Sequence, residues 1–166
     1  WFAKVINDQI GAAPTPYAVA QIQNGPVAFI AQNGHVYLME ETSGTLSGVS
    51  LVDLMDRNNL NLADAIDTQF NKGRLNRSQL AWYDHGHQLW GLYAALGASA
   101  ETRQLVIDFN DSTRLRAEIT TKDTNSALWM ELDSALIPRP RAGDTAGFTR
   151  KLDQVTRTVD GTAYGF

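Results

Sequence analysis

Apolar residues along this chain come in short alternating runs, joined two by two through tight polar turns. Residues 27–39 turn at Asn33-Gly34, residues 80–92 at Asp84-His85-Gly86, and residues 127–138 at Asp133-Ser134. Alternation over four to eight residues is the signature of strands with one buried face, and two such runs around a short polar turn make a hairpin. Asn33-Gly34 predicts a two-residue type I′ turn, because both residues tolerate positive φ. Further strands are expected over 17–22, 104–109, 115–120, 148–152 and 155–166. Pro138 and Pro140 predict distorted or partly unpaired backbone in the strand that holds them.

One stretch breaks the pattern. Over 50–60 and 62–70 the apolar residues Leu51, Leu54 and Met55, then Leu62, Ala65, Ile66 and Phe70, fall at helical spacing. Ser50 and Asn61 suit the N-cap positions of two short helices. The expectation is an all-β chain with a helical insertion at about 50–72.

The three hairpins recur at about fifty residues, the period of one four-stranded β-propeller blade following another. The chain of 166 residues then holds about three to four such units as one segment covering 1–166. A closed propeller commonly takes four to eight blades. The chain opens at Trp1 and ends in the strand-like Tyr164-Gly165-Phe166, so it is expected to be part of a larger ring or to complete its sheets with other copies.

Composition narrows the chemistry. With no cysteine, neither a disulfide framework nor a thiolate metal site can form. No apolar run reaches the roughly 18 residues of a membrane span, and no basic-then-apolar leader opens the chain, so a soluble protein is expected. Fourteen basic against eighteen acidic residues give a net charge of −4, which argues against general affinity for nucleic acid. The local basic stretch Arg139, Arg141, Arg150 and Lys151 is interrupted by Asp144 and Asp153 and reads as a solvated face.

Four segments carry a family likeness: 79–93 (QLAWYDHGHQLWGLY), 103–109 (RQLVIDF), 142–153 (AGDTAGFTRKLD) and 159–163 (VDGTA). Together they resemble the blades of β-propeller proteins found in tailed-phage particles, among tail, tail-tube and head-to-tail junction components. The likeness runs from about Tyr17 to the C-terminus, with Thr149 and the prolines Pro138 and Pro140 as departures. It implies a structural virion component whose partners are other virion proteins or further copies of itself, with no cofactor. The alternative is a glycan-binding or glycan-hydrolysing propeller acting on a surface polysaccharide.

Candidate site residues cluster in the second hairpin. Trp82 and Trp90, with Trp129 of the third hairpin, could stack on sugar rings if exposed, although packing between blades is the commoner use of such aromatics. Tyr83 and Tyr93, near strand ends, are the better placed to line a ligand surface. Asp84, His85 and His87 form a compact polar group, but Gly86 and the lack of a spaced third ligand make a metal site the weaker reading. Asp108, Asp111, Asp144 and Asp160 could pair as glycosidase carboxylates only if the fold joined them. There is no P-loop and no Gly-x-Ser-x-Gly elbow. The expected protein is therefore no enzyme, with binding candidates Trp82, Tyr83, His85, His87, Trp90 and Tyr93.

Overall fold

The computed structural model describes residues 9–23, 25–41, 49–56, 62–98, 103–111, 115–121, 128–143, 149–152, 157–159 and 162–164. They form antiparallel sheets whose strands follow one another in chain order. The first sheet is β1 (Val19–Gln21), β2 (Val27–Ile30), β3 (Val36–Glu41) and β4 (Val49–Asp53). The second is β5 (Gln79–Tyr83), β6 (Gln88–Tyr93), β7 (Arg103–Asp108) and β8 (Arg116–Thr121). A third holds β9 (Leu128–Leu132), β10 (Pro138–Gly143) and β11 (Thr149–Lys151), and β12 (Arg157–Val159) pairs with β13 (Thr162–Tyr164) as a separate hairpin.

Between the first two sheets runs a short helical connection, α1 (Ala63–Gln69) followed by a 3₁₀ segment, Lys72–Arg77. It is smaller than the pattern implied. Residues 50–53, expected to open a helix over 50–60, belong to strand β4, with Val52 opposite Leu38 and Ser50 opposite Glu40. Apolar residues at 51, 54 and 55 fit either period over so short a window, and the free edge of β3 decides in favour of a strand. Leu62 occupies the N-cap position of α1 and makes no side-chain cap bond. The proposed cap Asn61 lies outside the described residues.

Faces follow from register. The row Ala20, Ala28, Leu38, Val52 crosses all four strands of the first sheet. It packs toward the rows Leu80, Gly91, Leu105, Ile119 and Trp82, Leu89, Ile107, Ala117 of the second sheet. Alternation turns the intervening row of the second sheet, Ala81, Trp90, Val106 and Glu118, the other way. On that side Tyr83, Trp90 and Val106 meet Leu128, Met130, Ala142 and Leu152 of the third unit. The second sheet is thus apolar on both faces and covered on both.

The first strands of the three units lie side by side, β1 against β5 and β5 against β9. Two hydrogen bonds mark the seams: Leu80 N donates to Tyr17 O at 2.8 Å, and Leu128 N donates to Gln79 Oε1 at 2.6 Å. The helical connection plugs the first seam through Phe70 and Tyr93, which stack at 4.4 Å with both rings buried.

The hairpin at Asn33-Gly34 joins the second and third strands of its unit, whereas those at 84–87 and 133–136 join the first and second. Its repeat equivalents are therefore misaligned in the sequence reading. The true counterpart is the turn closed by Ile22 N to Pro26 O and Gly25 N to Ile22 O, matching Asp133 N to Ile137 O and Leu136 N to Asp133 O. The Asn33-Gly34 turn is also longer than type I′. Gly34 N donates to Ala31 O, Ala31 N to His35 O, and only Gly34 has positive φ, at 89°. That is a type I turn completed by one left-handed residue.

Pro138 and Pro140 stand inside β10, in register with Leu132 and Met130 of β9. The ladder to β11 begins only at Arg141, beyond both prolines, so the missing N–H groups fall where little pairing is demanded.

Candidate interaction site

The turn 84–87 closes with His87 N donating to Asp84 O at 3.1 Å, and His87 takes a positive φ of 47°. Three neighbours hold it. Trp82 Nε1 donates to Asp84 Oδ1 at 3.2 Å, Phe109 N donates to His87 O at 2.9 Å, and Asn110 Nδ2 donates to Gly86 O at 2.9 Å. Asn110 itself is fixed by Asp108 Oδ1, which accepts its backbone N–H and its amide. Gly86 lies against Tyr83, where a Cβ would fall 2.5 Å from the ring atom Cε1, so any other residue would have to displace that buried ring.

The turn 133–136 has the same plan. Leu136, with φ 59°, takes the left-handed place that His87 takes in the preceding unit. Asp133 organises it: Oδ1 accepts Ala135 N and Ile137 N at 2.8 and 3.0 Å, and Oδ2 accepts Arg139 Nε at 3.0 Å. Those bonds hold the Asp133 carboxyl below the usual carboxylate range, the backbone bond from Ile137 being the largest cause, with Arg139 next. Arg139 Nη1 then donates to Tyr83 Oη at 3.0 Å, which ties the third unit's tip to the second unit's.

The six candidates divide three ways. His85 and His87 are exposed at the tip, with Trp82 half-buried beneath them, its ring 6.4 Å from His87 and edge-on to Phe109 at 5.7 Å. Tyr83 and Trp90 are buried between the second and third sheets. Tyr93 is buried on the opposite face, its hydroxyl donating to Gly34 O at 3.4 Å, and burial pushes that hydroxyl far above its ordinary range. The sheet's two-sided burial separates them, since odd and even positions of one strand leave by opposite faces.

Other expected groupings dissolve into local structure. Arg139 is engaged as described, and Arg141 forms an ion pair with Glu131 at 2.6 Å. The side chains of Arg150 and Lys151, and the residues Asp144 and Asp160, lie outside the described set. Asp108 is occupied with Asn110. No group of three His, Cys, Asp or Glu among the described residues is arranged to hold a metal ion.

A polar cluster that the sequence reading did not single out sits at the end of the first sheet. His35 Nδ1 lies 2.7 Å from Asp53 Oδ2, Asp53 Oδ1 accepts Met55 N at 2.8 Å, and His35 N donates to Asn33 Oδ1. Tyr37 stacks beside His35, and burial, partly offset by its bond to Asn33, raises its hydroxyl above the usual range. The pair braces the 31–35 turn against the end of β4. Only the register Tyr37 opposite Asp53 brings these residues together, and reading 50–60 as a helix concealed it.

Among the described residues no helix is long and apolar enough to cross a membrane. No protein-family model, curated protein or solved structure matches this chain.

Proposed function

We propose that the chain is a segment of a β-propeller scaffold that works by protein–protein assembly, as a structural component of a tailed-phage particle, in the tail or at the head-to-tail junction. The observation that carries the scaffold reading is the face-to-face order of consecutive antiparallel meanders, two of four strands and one of three among the described residues, with β5 beside both β1 and β9. Propeller blades also follow one another as antiparallel meanders packed face to face around an axis, and that likeness supports the reading. The virion reading is supported by the resemblance carried in 79–93, 103–109, 142–153 and 159–163. Most of the described aromatic side chains fill the seams, which suits a scaffold better than a sugar platform.

Quantitative mass spectrometry of purified tailed particles from the source culture tests the proposal. Peptides of this chain should be present in the particles at fixed stoichiometry to the other tail proteins. Their confinement to the particle-free lysate would overturn it.

A further inference from the structure

The face that a unit turns toward the preceding one is built from large apolar side chains. In the second sheet these include Leu80, Leu105 and Ile119, and in the third unit Leu128, Met130 and Leu152. Strand alternation gives the first sheet a face of the same kind, on the side away from the second sheet. Val19, Phe29 and Tyr37 share one row of it, and Val27, Met39 and Leu51 share the next. Phe29 and Tyr37 stack there at 5.8 Å.

The faces differ in cover. Leu80 and Leu105, beneath the first sheet, are 7% and 1% exposed, whereas Val19 is 47% exposed and Val27, Phe29, Met39 and Leu51 are half-buried. Those five side chains belong to neither apolar cluster of the described residues. Contiguous apolar surface left partly in water is surface that a partner gains by covering.

The occupant follows from continuity with the two seams already formed. At each of them an antiparallel meander lies on a face of this composition, with the first strands of the two units side by side. The first sheet therefore offers the receiving half of a seam whose geometry the chain itself displays twice, and a second copy of the chain carries units of the build that fills it.

We propose that the open face of the first sheet receives a unit of a second copy of this chain, entering head to tail in the way that the first sheet covers the second. Such a contact joins two different surfaces, so it closes a ring or runs into an open filament. This deepens the assembly reading by naming the surface and the partner, and it rests on that reading. Whether the chain is present in particles is a separate measurement, so either idea can fail while the other stands.

The test is the native mass of the full chain by light scattering over about 1–100 µM, the range in which a weak specific contact forms. The mass should rise with concentration to a multiple of the single-chain value. Val19→Glu charges an exposed position of the face and should weaken association about tenfold, with an unchanged thermal transition showing that the fold is kept. Leu96→Glu charges an exposed leucine outside the sheets and should leave association as it was. A mixing experiment fixes the direction of the contact. A fluorescent V19E/V27E double variant has a blocked face but an intact opposite end, so it should remain monomeric alone and still bind unlabelled wild type in sedimentation velocity. Two open faces packed on each other about a two-fold axis would exclude it. A monomer at every concentration, association that the face substitutions leave unchanged, or a double variant that wild type does not bind would overturn the proposal.

Discussion

Replacing Gly34 with alanine should destabilise the protein through two separable effects. Gly34 has φ of 89°, and a Cβ there would stand 3.1 Å from Ile66 Cγ2. An L-residue in the left-handed region costs about 1–2 kcal/mol. Ile66, the buried residue of α1, is fully enclosed in the core, so relieving the close contact means shifting packed atoms, at about 1–3 kcal/mol. Lower entropy of the unfolded chain returns roughly 0.4–1 kcal/mol. The net is about 3 kcal/mol, within a range of about 1–5, which for a chain of this size lowers Tm by roughly 6–12 °C. Thermal unfolding followed by circular dichroism measures it. In an Ile66→Ala background the same change should cost only the backbone part, and the difference between the two values is the coupling of turn to connection. A Tm shift below about 1 °C in the wild-type background would refute the reasoning.

Three further outcomes are expected. Leu136→Gly removes strain at an exposed site and should raise stability by about 1 kcal/mol, or Tm by roughly 2–4 °C, whereas Leu136→Ala should leave it nearly unchanged. Tyr93→Phe keeps the stack on Phe70 but gives up the long bond to Gly34 O, so denaturant titration should show a loss of about 1 kcal/mol or less. Because the folded Asp133 carboxyl sits below its ordinary value of 3.8, its contribution is complete above that pH and is lost as pH falls through the lower folded value. The amide resonances of Ala135 and Ile137 should therefore move only in acid below about pH 4, and Asp133→Asn should abolish that movement.

Strand positions were legible wherever a period-two run met a turn rich in Asp, Asn or Gly, as in 79–93, where the expected pair became β5 and β6. Two things were not. Pairing order depends on which edge a strand finds, so 50–53 could not be told from a helix until β3 stood beside it, and the 31–35 turn could not be given its place within the unit. Face assignment within the second sheet was also hidden, because a sheet buried on both sides loses the apolar–polar alternation that marks an inward face. Trp82, Tyr83, Trp90 and Tyr93 look alike in sequence for that reason, and the structure sends them to different seams. The Tyr83–Arg139–Asp133 bridge spans 56 positions between its tyrosine and its arginine, and no spacing rule anticipates it.

The doubly covered second sheet also bears on how such a chain could lengthen or shorten. A unit with two apolar faces cannot be excised and remain dissolved by itself, yet an added copy of it would meet on either side the kind of neighbour it already has. Growth by duplication of residues 79–121 would therefore conserve every seam except the one it creates, whereas loss of those residues would bring together two faces that were never shaped to each other.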